Sequence, residues 1–445
     1  MKKKKIQNTN YLVYLLILFS IMLITVLYFL YPKVKNKYVD LSLRFRTIER
    51  KIEINDRYIV RSIETYQAKR GDASIDVATE AANDLGLWEK LDTPWEEQRY
   101  LKTKALTSYN NSLVVGLLGL KLGDAAVYSF DGEWKILGSS QIIPEWKNLE
   151  YVQVLREFNG NLIAGIDNQV WMYDKATYSW SQLGGDGGDF PWGNGTAYNL
   201  VVHNSQLYVG IMHDSPEVYR FMGDHWQNVS DGLPISGSIG VYETWSHSDG
   251  KLYAGLASKN DSTSVYVFND EGMSWTKIGG QGLNGSWISI GFGYGVSFSS
   301  NNGWLIVTST RRPISIGNYS SVWGYDGKEW FPIGASNAPA EWRNIDMFNA
   351  SLSLGGKLYI GSGGIPSGRA SIWELTSHGW ALVGGHGVRG SWGAKFPHTL
   401  TGYWGYATAE YPYRMIEWNN KMVVGFGDDL GAAQLYLYDP VASRN

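Results

Sequence analysis

The chain has no cysteine among its 445 residues. It therefore has no disulfide, no thiolate zinc site, no thiol nucleophile and no iron–sulfur cluster. It also lacks an excess of either charge. Its 39 Lys and Arg stand against 42 Asp and Glu, a formal net charge of −3, which gives no basic footprint for nucleic acid. No GxxxxGK[ST] phosphate loop or GxSxG nucleophile elbow occurs. Histidine is scarce, with seven residues. His203 and His247 precede successive Leu-Tyr strands, and His225 and His378 lie just before tryptophans. Such repeat-phased positions read as structural surface sites, so neither a metal nor another cofactor is expected.

What is abundant is glycine (52), tyrosine (29) and tryptophan (20). The apolar content suffices for a large core and excludes disorder over most of the chain. Residues 1–10 form a short tail carrying Lys2, Lys3, Lys4 and Lys5. Residues 11–31 are uncharged and almost all Leu, Ile, Val, Phe, Tyr or Met. A hydrocarbon layer of ~30 Å needs ~20 helical residues, so this run is long enough to span as an uncleaved single-pass anchor. It runs into Tyr31-Pro32-Lys33 rather than the small residues of a signal-peptidase site. Positive charges flank both ends, so their count does not orient the segment. A four-lysine tail is awkward to export, which puts the tail inside and the large domain outside.

Residues 32–84 read as a helical stalk and linker. Tyr38, Phe45, Ile52, Ile59 and Tyr66 recur every seven residues, with Leu41 and Ile48 three further on. Asn55 and Ser62 then break that second row. The pattern fits either a short coiled coil that would pair two copies or a single amphipathic helix.

From residue 85 onward a unit of 46 to 55 residues repeats. An apolar strand ends in Gly (Leu113-Val114-Val115-Gly116, Leu162 to Gly165, Leu207 to Gly210, Leu252 to Gly255, Leu358 to Gly361, Met422 to Gly425). Leu305-Ile306-Val307-Thr308 is a seventh copy without the Gly. An aromatic strand follows, then a closing Trp at 134, 180, 226, 275, 330 and 380. The seventh unit ends without a Trp, and Leu87-Trp88-Glu89-Lys90-Leu91 resembles Glu133 to Leu137. An N-terminal strand that completes the last unit closes a ring and removes both open edges. The expectation is an all-β domain over 85–445, a seven-bladed β-propeller with N-terminal strand closure.

The Gly-ended strand, the aromatic strand and the Trp six to nine residues later resemble kelch-type, galactose-oxidase-like blades. Phe268 to Trp275 resembles one degenerate Asp-box. The kelch double Gly is displaced to follow the closing Trp, as at Gly184-Gly185, Gly279-Gly280 and Gly384-Gly385. Both resemblances are structural and assign no activity. The copper chemistry of galactose oxidase is excluded, because that site uses a cysteine cross-linked to tyrosine.

Two sets of residues are candidates for ligand contact. Trp146, Trp192, Trp287, Trp342 and Trp392 each lie 12 residues after a closing Trp, in loops that the resemblance places around one channel mouth. They either ring that mouth, where indoles stack on sugars, or wedge between blades. The second set lies where the repeat is interrupted: Arg311 and Arg312 in unit five, Arg369 in unit six, and Tyr403, Trp404, Glu410, Tyr413 and Arg414 before unit seven. Arginines beside aromatic side chains suit an anionic or glycan ligand through bidentate pairing and stacking. The reading is a membrane-anchored, non-catalytic propeller that recognises a glycan or a cell-surface protein. A sialidase- or glycosidase-like enzyme on the same face and a scaffold for a membrane complex are the alternatives.

Overall fold

The computed structural model describes residues 88–440 apart from loop segments at 96–98, 186–191, 214, 236–237, 259–262, 288–292, 312–320, 334–346, 364–369, 378, 386–387, 389–390, 393–410 and 428–432. The anchor and stalk expected over 11–84 lie outside the described residues. Among the described residues, no helix is long and apolar enough to cross a membrane.

The described residues form 28 strands in seven four-stranded antiparallel blades. Blade 1 spans 100–139, blade 2 152–184, blade 3 196–228, blade 4 238–279, blade 5 293–332 and blade 6 347–384. Blade 7 takes three strands from 411–438 and its fourth from Trp88–Lys90. Among the described residues, single bridges link neighbours in three places, Lys102↔Gly427, Ser258↔Gly293 and Leu118↔Tyr151. The first strand of each blade contacts the first strands of both neighbours in an unbroken cycle, so the domain is a closed β-propeller.

Closure is made as the repeat required. Trp88 pairs with Tyr438, Glu89 with Leu437 and Lys90 with Tyr436. Trp88 then behaves as the closing tryptophan that unit seven lacks. Its indole N–H donates to the Val383 carbonyl of blade 6 at 2.7 Å. Four other closing tryptophans bind the preceding blade in the same way: Trp180 to Leu137 (2.9 Å), Trp226 to Leu183 (2.8 Å), Trp275 to Val229 (2.8 Å) and Trp330 to Ile278 (2.8 Å). Trp134 donates to Asp92 (2.7 Å), just past the closing strand. A flat indole fills apolar area while its single donor satisfies a carbonyl that the blade junction would otherwise bury unpaired.

The glycines of the repeat have two separate jobs. The Gly expected to end the second strand lies inside it in six blades, as at Gly116 within Ser112–Gly119, and faces the next blade's first strand. A Cβ on Gly116 would come within 2.3 Å of Val152, and one on Gly361 within 2.7 Å of Pro412. Blade 5, which has Thr308 there, uses the hydroxyl instead, donating to the Phe348 carbonyl at 3.0 Å. The double glycine after the closing Trp divides its work. Gly184 leaves room for Trp192 and Trp226, whose atoms would lie 2.4 and 2.8 Å from an added Cβ. Gly185 adopts a φ of +110°, a left-handed backbone that costs a side-chain-bearing residue.

Candidate functional site

Each of the seven inner strands carries a register shift at the same place. The shifts fall between Lys102 and Ala105, Val152 and Val154, Ala197 and Asn199, Val241 and Glu243, Gly293 and Val296, Phe348 and Ala350, and Pro412 and Arg414. A bulge of this kind re-aims one side chain relative to the ladder. Six of the residues it displaces, Lys104, Gln153, Tyr198, Tyr242, Asn349 and Tyr413, line one small compartment of the central channel, about 40 Å³ in volume. The fold thus converts a repeated backbone irregularity into a convergence of polar groups on the axis.

Beside it lies a roomier compartment of about 340 Å³. It is lined by Arg156, Trp245, Phe298, Leu352, Ile416, Glu417 and a row of serines, and Arg414 lines both spaces. An ion pair crosses the channel there. Arg414 Nη1 on blade 7 donates to Glu243 Oε1 on blade 4 at 2.7 Å, and the Phe298 backbone N–H donates to Glu243 Oε2 at 2.9 Å. Glu243 is 4% exposed, so both of its oxygens are already engaged in a low-dielectric setting.

Lys104 and Arg156 have neutral hydrogen-bond partners. Lys104 Nζ donates to Gln153 Oε1 at 2.9 Å and sits 3.2 Å from the centroid of the Tyr198 ring. Burial, then the charges of Lys102 and Arg414, hold its pKa well below the ordinary lysine value. Arg156 Nε donates to the Leu200 carbonyl at 3.2 Å. Burial first and Arg414 second lower its guanidinium to about 10. Tyr198 and Tyr242 meet at a tilt with ring centroids 5.0 Å apart, and both titrate above the usual phenol range, because burial disfavours the phenolate. Lys102 Nζ lies 4.6 Å from the Tyr413 ring centroid. The channel therefore carries Lys102, Lys104, Arg156 and Arg414 against Glu243 and, at its exposed rim, Glu417.

Of the residues singled out by sequence, Tyr413 and Arg414 fall on this channel. Arg311 ends the strand Trp304–Arg311, paired with Gly293. Arg312, Trp342, Arg369, Tyr403, Trp404 and Glu410 lie outside the described residues. The other tryptophans of the second series are not exposed at a mouth. Trp146, Trp192, Trp287 and Trp392 are 0, 5, 8 and 5% exposed. Each meets a closing tryptophan edge to face: Trp146–Trp180 at 5.1 Å, Trp192–Trp226 at 5.4 Å, Trp287–Trp330 at 5.2 Å and Trp392–Trp88 at 5.0 Å. These four indoles pack as wedges between blades, one of the two arrangements that their spacing allowed. They recur because every blade junction presents the same gap to fill.

The histidine reading also needs one correction. His203 and His247 are buried, not at the surface, and His203 Nδ1 lies 3.0 Å from Ser246 Oγ. Among the described residues, no group of three His, Asp or Glu is placed to hold a metal ion. Sequence reasoning missed Lys104, Gln153, Arg156, Tyr198, Tyr242 and Glu243, all on inner strands rather than on loops.

No family model matches the chain, and no curated protein matches it. Solved structures share its fold. Two structures of an extracellular domain from B. thetaiotaomicron, assigned in one to a hybrid two-component system and in the other to a one-component system, align with TM-scores of 0.53 and 0.52. Each is 11% identical; the alignments cover 79% and 78% of this chain and 39% of the other. YCF48 from Cyanidioschyzon merolae aligns at a TM-score of 0.48 and 11% identity, over 80% of this chain and 99% of its own. The chain spans about two fifths of the length of the two B. thetaiotaomicron structures. At these identities the likeness is one of fold.

Proposed function

We propose that this protein is a membrane-anchored binding propeller that recognises a glycan or a cell-surface protein without transforming it. One observation carries the reading: seven independent inner strands bulge at the same level and converge on one polar channel. Convergent side chains held by a closed ring are pre-organised, so a ligand seated there orders little on binding. The kelch-like blade pattern supports a recognition module, since propellers present ligands with one mouth ringed by loops. The inserted loops with Arg312, Arg369, Tyr403, Trp404 and Glu410 would extend the contact surface beyond the channel.

The uncharged run at 11–31 supports an N-terminal anchor, and the stalk at 32–84 would hold the domain off the bilayer, alone or as a pair. The fold shared with a domain described as extracellular supports placing the propeller outside. The purified full-length chain, applied to an array of glycans and surface proteins, should retain at least one class. Arg414→Ala should weaken that capture, and the retained glycan should be recovered uncleaved. Cleavage of the captured glycan would replace this reading with an enzymatic one. Release of the full-length chain from membranes by high salt alone would remove the anchor.

A further inference from the structure

We propose that the channel selects an acidic saccharide: a mono- or disaccharide whose carboxylate or sulfate is held by Arg156 and Arg414 in the 340 Å³ compartment. The inference rests on the binding reading above and narrows it to a ligand class.

The first argument is charge. Arg156, Arg414, Lys104 and Lys102 face the channel from blades 1, 2 and 7; the acids beside them are Glu243, already committed to Arg414 and to the Phe298 N–H, and Glu417, exposed at the rim of the larger compartment. Arg156 uses one donor on a backbone carbonyl, and Lys104 rests on an amide oxygen and an aromatic face. Among the described residues, no carboxylate forms an ion pair with either. Folding has thus gathered cations that repel one another, an arrangement that an incoming anion relieves. Guanidinium groups bind carboxylate and sulfate through paired N–H donors, more strongly than they bind a neutral hydroxyl.

The second argument is shape and polarity. The compartment sits at the small end of ligand cavities, the size of one or two sugar rings rather than of a peptide. One part of its wall is apolar, with the half-buried indole of Trp245 beside Phe298, Leu352 and Ile416. Another is hydroxylic, with Ser297, Ser299, Ser351 and Ser353. Ser299 is 2% exposed and its Oγ has no hydrogen-bond partner among the described residues, an arrangement that costs stability unless something supplies the bond. A sugar offers a hydroxyl to Ser299, an apolar ring face to Trp245 and an acid to Arg156.

The test uses the purified full-length chain on matched glycans: uronate, sialylated and sulfated saccharides, each beside its neutral counterpart. Acidic members should bind at least roughly tenfold more tightly than neutral ones, the gap narrowing with added salt. Arg156→Gln should abolish that preference while Arg156→Lys keeps part of it, with both variants melting as wild type. If Arg156→Gln fails to fold, Arg156→Lys still tests the preference, and Ser299→Ala and Trp245→Phe test the compartment by weakening acidic and neutral members alike. Binding of neutral glycans as tightly as acidic ones overturns the inference and leaves the binding reading standing. Acidic binding that is indifferent to all these variants overturns the assigned site. Absence of any glycan binding overturns the inference, and absence of protein ligands as well overturns the reading beneath it.

Discussion

Replacing Glu243 with Gln should destabilise the propeller by about 2–4 kcal/mol, toward the lower part of the range for breaking a buried ion pair. The carboxylate accepts from Arg414 Nη1 on one oxygen and from the Phe298 N–H on the other. An amide can accept only through its oxygen, so its NH2 must face one of those two donors. The substitution also removes a buried acid from a channel holding Arg156 and Lys104. Two features keep the loss below the extreme: the Arg414 side chain is 24% exposed, and the neighbouring compartment admits water. The paired change Glu243→Gln with Arg414→Met removes both charges. It should restore about half of the Glu243→Gln loss, so the two changes are far from additive. Urea unfolding followed by tryptophan emission measures all four corners of the cycle. A loss below about 1 kcal/mol for Glu243→Gln, or simple additivity in the double variant, would refute the view that this pair ties blade 4 to blade 7.

Two further outcomes follow from the blade junctions and their loops. Trp226→Phe keeps most of the apolar volume but loses the 2.8 Å bond to Leu183 and the edge-to-face contact with Trp192. It should cost about 1–2 kcal/mol by equilibrium unfolding, and no measurable change would contradict the wedge role. Burial lifts Asp167 to about 6, against backbone N–H bonds from Glu150 and Tyr151 that pull the other way. Its raised pKa means that its ionisation opposes folding, so its stabilising contribution is present below about pH 4 and is lost as pH rises through about 6. Asp167→Asn also suits the left-handed φ of +50° at this position. The amide NH2 of Asn must face one of those two N–H donors, so the test is the trend: the variant should gain on wild type as pH rises from 4 to 7.5, and a pH-independent difference would rule the assignment out.

The architecture was legible because each blade solves the same packing problem with the same residues. The Gly-ended strand and the closing Trp are separated by constraints that act at every junction, and unit seven's missing Trp pointed to Trp88. The same regularity concealed the roles of the second tryptophan series. Trp146 and Trp392 recur in sequence whether they stack on sugars or fill gaps, and only their burial against Trp180 and Trp88 decides.

The channel was harder to read for a physical reason. A bulge leaves no mark in composition, so Tyr198 or Tyr242 reads as an ordinary strand aromatic until the register is known. A usable signal was nonetheless present. Lys104, Gln153, Tyr198, Asn349 and Tyr413 each precede the Leu or Met that starts the next strand's core by nine residues, and Tyr242 by ten. Charged Lys104, Arg156 and Glu243 inside otherwise apolar strands were the other clue, since a buried charge needs a partner or a purpose. Attention to interruptions of the repeat found Arg414 and Tyr413, which border an insertion, and passed over cations inside regular strands.

Ring closure by Trp88–Lys90 holds the whole account together, because an open ring has neither a channel nor a fixed distance between Arg414 and Glu243. The chain's lack of cysteine makes the direct measurement simple: Glu89→Cys with Leu437→Cys places one thiol pair at directly opposed positions. Oxidation should form an intramolecular disulfide rapidly and raise the unfolding midpoint, whereas Glu89→Cys with Leu435→Cys should link far more slowly. Equal rates for the two pairs, or linkage only between molecules, would contradict closure in this register.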